Sequence, residues 1–207
     1  MDKANKWFGP IAGILFVVAI VVAGSMFSGV DAEPSDSANT VLTEFRENYD
    51  NIQASALITV LGLGFLLIFV AHVRFSLKER GAGWAADGLL AGGVAVAVAW
   101  VIVIAVQLAG GVAGESGHTE AAQGANDFLW NSVFLFSPGL LAVGVAAVAA
   151  SLLGRALPIW LGVFALIVTL GALAPWIGVF VFVAWVLAAS IVELIRAIRP
   201  ATPPDVR

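Results

Sequence analysis

Six long apolar stretches, separated by short charged segments, leave this chain few ways to fold. They read Trp7–Val30, Ile52–Val73, Gly88–Val112, Phe128–Leu153, Leu157–Ala174 and Trp176–Ile195. A bilayer core needs roughly 20 apolar residues per helical crossing. In oil, a backbone must satisfy its own polar groups, and helices do so within a single segment. The expected fold is therefore an all-α integral membrane bundle of six transmembrane helices. It forms one domain over 1–207 with a short cytoplasmic tail, 196–207. Composition agrees: hydrophobic residues make up 60% and charged residues 12%, against about 45–50% and about 25% in soluble domains. The mean hydropathy is +0.99.

Charge sets the expected threading. Basic residues favour the cytoplasmic side of short loops. Lys3, Lys6, Arg74, Lys78, Arg80, Arg155, Arg196, Arg199 and Arg207 fall on one side, nine of the ten bases. The loops Asp31–Asn51 and Ala113–Asp127 hold the tenth, Arg46, with nine acids. Both termini are thus expected in the cytoplasm, and the protein in a bacterial cell membrane. Tryptophan prefers the membrane boundary. Trp7, Trp84 and Trp160 fall at predicted inner ends, and Trp130 and Trp176 at outer ends. Trp100 and Trp185 lie nearer mid-span and are expected to pack between helices or face acyl chains.

Local patterns add detail. Asp31–Asn39 is acidic and turn-rich, so irregular. Leu42, Phe45, Tyr49 and Ile52 recur at helical spacing, which predicts a short amphipathic outer helix over Thr40–Asn51, running into the second span, with Arg46 and Asp50 placed to pair. Small residues mark contact faces between helices in lipid. Gly9 with Gly13, then Gly88, Gly92, Ala95 and Ala99, then Ala142, Ala146 and Ala150 form such stripes. Packing inside the bundle is the first reading of these stripes, a homo-oligomer or partner interface the second. The longest stripe makes the third span the expected central helix. Pro138, midway along the fourth span, predicts a kink, with Ser137 able to satisfy a freed carbonyl. Ala174-Pro175 predicts a tight hairpin.

Chemistry-bearing residues are few. Ionisable groups within a membrane are functional candidates by default. His72, Asp87 and Glu193 gather near the cytoplasmic end and suggest a proton or cation site; the plainer reading is interfacial residues that snorkel. Glu193 and Arg196 are spaced to share a helix face. An uncharged set, Gln53, Ser55, Gln107, Asn131, Ser132 and Ser137, lies in the outer half. It would line a polar cavity or serve as hydrogen-bonded glue between helices.

Exclusions narrow the class. The chain has no cysteine and two histidines, which removes thiolate metal sites, iron–sulfur clusters and disulfides. The outer acids lack the repeat and glycine of a calcium loop. Phosphate-binding, acyl-transfer and dinucleotide signatures are missing, and the bases are too few for a nucleic-acid footprint. No cofactor, metal or catalytic residue is expected.

The acidic loop ending in "VLTEFRENYDN", the span ending "FLLIFVAHVRFSLKER" and the later "GRALPIWLG" together resemble small multi-pass membrane proteins of actinobacteria. That resemblance implies an all-helical membrane fold and brings no catalytic residue, cofactor or substrate. The functional expectation is a non-enzymatic accessory or scaffold subunit, with the apolar last hairpin, Leu157–Ile195, as its docking face for lipid or a partner. The alternative is a small-solute or proton-coupled transporter using the outer polar set and Pro138. No inverted repeat links the two halves, which weakens that alternative.

Lys3, Lys6, the apolar run and Val30-Asp31-Ala32 also resemble a signal peptide. The run from Trp7 through Phe27 exceeds a signal core of about 7–15 residues, so a retained helix is expected. The intact mass of the purified protein should include this segment; a mature start near Glu33 would contradict the expectation.

Overall fold

The computed structural model describes residues 5–26 and 32–198. Lys3, residues 27–31 of the signal-like segment, and the tail from Arg199 onward lie outside the described residues. Among the described residues the chain is all-α. Eight α-helices run α1 (Asn5–Met26), α2 (Ala38–Glu47), α3 (Tyr49–Glu79), α4 (Gly83–Ser116), α5 (Thr119–Asn131), α6 (Ser137–Leu152), α7 (Ile159–Gly171) and α8 (Pro175–Ile198). A 3₁₀ segment, Ser132–Phe136, joins α5 to α6. Five helical stretches are long and apolar enough to cross a membrane: Trp7–Met26, α3, α4, the run Thr119–Leu152 and α8. The helix inside the expected fifth span is shorter, 13 residues. Pro158 holds extended geometry before it (φ −58°, ψ 142°). Pro175 after it disfavours helical geometry at Ala174.

Neighbour contacts run α1–α3–α4–α6–α7–α8 and back to α1. Six rods therefore close a ring in which the first and last helices touch. Its interior is apolar and aromatic. Phe16, Leu66, Phe69, Phe182 and Trp185 are almost fully buried. Phe16 meets Trp100 edge-on at 5.9 Å, Trp100 meets Phe136 at 5.2 Å, and Phe16 meets Phe182 at 6.4 Å. Edge-to-face pairs contribute about 0.5–1.5 kcal/mol beyond buried area. Both mid-span tryptophans thus pack between helices, and the Trp185 indole donates to the Leu161 carbonyl at 3.2 Å.

The small-residue stripes are used within the chain. A Cβ on Gly92 would lie 2.6 Å from the Val143 backbone nitrogen, and one on Gly139 would lie 2.8 Å from that of Val96. The α4 and α6 backbones approach here closely enough that only glycine fits. Gly9 leaves room for the His72 ring, and Gly13 for Phe69 and Ser190. Gly171 and Gly178 bring the α7–α8 hairpin into backbone contact. The third span, expected to be the central helix, is α4, which packs against α2, α3, α5, α6 and the 3₁₀ segment, more elements than any other described helix.

The acidic end departs most from expectation. The loop expected over Ala113–Asp127 is largely helical. α4 continues to Ser116, turns at Gly117 (φ 73°) and re-enters as α5. The expected amphipathic helix is α2, capped by Ser37, whose Oγ accepts from the Thr40 amide at 3.2 Å. Val41 and Phe45 are buried, and Phe45 lies across Gly110 and Gly114. The Arg46–Asp50 pair does not form, because the helix breaks at Asn48; Arg46 Nε donates instead to the Gly114 carbonyl at 3.1 Å. Pro138 is not mid-helix. It stands in the first turn of α6, and the chain accommodates it with the 3₁₀ segment before it. The Ser137 hydroxyl meets no hydrogen-bond partner, so it does not satisfy a freed carbonyl.

Two glycines test this packing. Gly92→Val should destabilise the bundle by about 1–3 kcal/mol or more, as overpacking does. Gly64 faces open space within α3, so Gly64→Ala should be neutral or stabilise by roughly 0.5–1 kcal/mol. Unfolding midpoints in detergent distinguish the two.

Candidate functional site

Two cavities open at opposite ends of the ring. The first, about 300 Å³, lies at the end carrying α2 and α5. α4 supplies Trp100, Val103 and Gln107. α5 and the 3₁₀ segment supply Asn126, Trp130, Ser132, Val133 and Phe136, and α8 supplies Trp176 and Phe180. The cavity exists because the chain between α5 and α6 bends as a 3₁₀ turn, leaving concave space between α4 and α8. Its floor is the Trp100–Phe136 edge-to-face pair.

The walls are mostly apolar, with few polar groups. Gln107 is half-buried, and its carboxamide has no hydrogen-bond partner among the described residues. Asn126 is 2% exposed and donates to the Glu33 carbonyl at 3.4 Å. Trp130 Nε1 donates to the Ala32 carbonyl at 2.9 Å, which ties the segment before α2 to α5. Of the uncharged set, Gln107 and Ser132 line this cavity; Gln53, Ser55, Asn131 and Ser137 do not. Asn131 is exposed and bonds back to Asp127 O at 2.8 Å. Gln53 is exposed. Ser55 donates to the Ala23 carbonyl at 3.1 Å, joining α3 to α1.

The second cavity, about 260 Å³, lies at the basic end and is polar. His72, Phe75, Ser76 and Glu79 line it from α3 and Arg80 from the C-cap of that helix, with Glu193, Arg196 and Ala197 from α8. Glu193 is 5% exposed, so it does not snorkel. Its Oε1 accepts from Arg80 Nη1 at 3.0 Å and from Arg196 Nη1 at 2.7 Å. Oε2 accepts from Arg80 Nη2 at 3.1 Å and from Ser76 Oγ at 3.0 Å. Arg80 therefore grips the carboxylate as a fork, the strongest geometry for such a pair. Arg80 and Arg196 also both donate to the Ala156 carbonyl, at 3.0 and 3.3 Å. The left-handed turn at Arg155 (φ 47°) immediately precedes that carbonyl.

The expected grouping of His72, Asp87 and Glu193 forms only in part. His72 and Glu193 share the cavity. Asp87 stands apart, its side chain 55% exposed, and pairs with Arg74 Nε at 2.8 Å and Lys78 Nζ at 3.0 Å. At Glu193, two guanidinium groups on one carboxylate make a poor cation site. Sequence reasoning anticipated Arg196 but treated Arg80 only as an orientation signal. The available clue was the carboxylate itself, since a buried charge demands partners. Nothing in sequence names a partner 113 residues away.

No protein family, curated protein or solved structure matches this chain, so the cavities carry the functional reading.

Breaking a buried ion pair by removing one partner costs about 3–5 kcal/mol. Glu193→Ala should destabilise the protein by that order, since two arginines lose their shared anion. Asp87→Asn should leave the unfolding midpoint nearly unchanged. Equal effects from the two substitutions would contradict this assignment.

Proposed function

We propose that this chain is a non-enzymatic integral membrane protein of the bacterial cell membrane, in an accessory role, whose acidic-end cavity binds a small apolar or amphipathic molecule. The observation that carries the reading is the cavity: about 300 Å³, walled by three tryptophans and two phenylalanines. Ligand pockets are typically apolar concavities with a few placed polar groups. Here Gln107 and Asn126 are those groups, able to hold a polar head while the rings hold an apolar body. The resemblance to small actinobacterial membrane proteins belongs to the same proposal.

Six crossings with both termini cytoplasmic complete it. α7 begins beside the Arg80–Glu193 cluster and ends where Gly171 meets Gly178 at the start of α8. α8 in turn starts at the acidic-end cavity and finishes at the basic one, which supports reading α7 as a crossing between them. Its helix spans about 20 Å at 1.5 Å per residue. Leu157–Pro158 and Ala172–Ala174 lengthen it, and local bilayer thinning accommodates the remainder. Arg74, Lys78, Arg80, Arg155 and Arg196 gather at one end, and basic residues favour the inner side.

Transport of a small solute is the second reading. It is favoured by cavities at opposite ends of one ring. Against proton or ion coupling, no ionisable side chain lies between Asp50 and His72 in α3, between Asp87 and Glu115 in α4, or before Glu193 in α8. The layer between the cavities is aromatic.

The chain has no cysteine, so single cysteines report topology without background. Glu47→Cys should react with a membrane-impermeant maleimide on intact cells, and Lys78→Cys only after permeabilisation; reaction from the same side would sink the threading. Protein purified in native lipid should carry a stoichiometric apolar small molecule by mass spectrometry. Val133→Trp, which fills the cavity, should lose it. Wild-type protein without such a molecule would remove the binding reading, and uptake of that molecule into sealed vesicles would favour transport.

A further inference from the structure

The basic-end cavity holds more donor capacity than its own carboxylate uses. A guanidinium has five N–H donors. Arg80 spends three of them, on Ala156 and on both oxygens of Glu193, which leaves two. Arg196 spends two, on Ala156 and Glu193, which leaves three. Five donors therefore have no acceptor among the described residues. The buried charge is shared as well. Arg80 and Arg196 both pair with Glu193, at 3.0 and 2.7 Å, so one buried carboxylate serves two guanidinium groups. The other acid lining the cavity, Glu79, stands at its exposed rim.

The surroundings indicate what meets these donors. Phe75, 48% exposed, and Ala197 make an apolar lip beside the polar interior. Trp7, Trp84 and Trp160 stand exposed near the helix ends of the same side. Tryptophans in such a girdle sit at the headgroup level. Arg74 and Lys78 lie on α3 next to the cavity, sharing the single charge of Asp87. Planar guanidinium forks match phosphate oxygens, and basic pockets between helices on the inner side suit anionic headgroups.

We propose that this cavity binds the phosphate of an anionic phospholipid, with Arg196 as the principal contact, Arg80 and His72 lining the headgroup, and Phe75 under the first part of an acyl chain. The lipid source rests on the membrane reading above; the ligand chemistry is that of a phosphate oxyanion.

The test uses the full chain in nanodiscs of mixed phosphatidylglycerol and phosphatidylcholine, delipidated stepwise and read by native mass spectrometry. Wild type should retain phosphatidylglycerol selectively. Arg196→Gln should lower that retention by about fivefold or more, the worth of one basic residue near an anionic surface. The substitution leaves Glu193 gripped by Arg80, so the fold is expected to survive. Lys78→Gln, on the neighbouring exposed face, should lower retention much less. Equal losses from the two would assign the effect to diffuse charge and overturn the site. Glu79→Gln touches no bond of the buried cluster and should raise retention; unchanged or lower retention overturns the proposal even if Arg196→Gln fails to fold. In pure phosphatidylcholine discs, inorganic phosphate should stabilise the protein less than phosphatidylglycerol does, and an equal shift in melting temperature would reassign the site to free phosphate. Failure of the membrane reading shows separately, as protein recovered in the aqueous phase without detergent.

Discussion

Close approach of helix backbones at small residues is the constraint on which this bundle depends. Lipid tails are as apolar as leucine, so burying leucine against leucine gains little there, and helices associate through tight packing and a few polar contacts. Gly92 and Gly139 let α4 and α6 meet backbone to backbone, and Gly171 and Gly178 do the same for α7 and α8. Gly9 and Gly13 seat α1 on α3 and α8. With these contacts in place, large side chains have only the ring interior to fill. There Phe16, Trp100 and Phe136 interlock edge to face.

The two ends of the ring use different physics. At the acidic end, α2 and α5 form a second small apolar cluster around Val41, Phe45 and Ala122, and hydrogen bonds from Trp130 and Asn126 hold the Ala32 and Glu33 carbonyls against α5. At the basic end, a single buried carboxylate joins three parts of the chain. Ser76 comes from α3 and Arg80 from its C-cap, Glu193 and Arg196 from α8, and the Ala156 carbonyl from the α6–α7 turn. One end is thus an apolar receptacle with two carboxamides, the other a compact charged knot with spare donors. A plug of aromatic rings separates them, and the described spans carry no charge across it.

Several features of this arrangement were readable in advance. Hydropathy marked the rods, and the 3.6-residue recurrence of Leu42, Phe45 and Tyr49 marked an amphipathic helix near its observed place, Ala38–Glu47. Gly88 and Gly92 were readable as a contact face, now seen against Ala146 and Val143. The errors arose where local sequence underdetermines geometry. Ala113 onward reads as a loop, but α4 continues to Ser116, with Gly110 and Gly114 as the seat of Phe45. Pro138 looks like a mid-span kink, but the chain yields earlier, at Ser132–Phe136, and turns proline into a helix start.

The sequence alone determined that this chain is helical and apolar, where its rods lie and which end gathers its bases. Those properties depend on backbone satisfaction in oil and on charge along the chain, both local or additive. Only the tertiary structure decided that Gln107 faces a cavity while Asn131 faces away, and that Glu193 is shared by Arg80 and Arg196 while Asp87 stands outside. The rotation of each helix about its axis and the closure of α8 onto α1 set those choices, and they arise from contacts between residues more than a hundred positions apart.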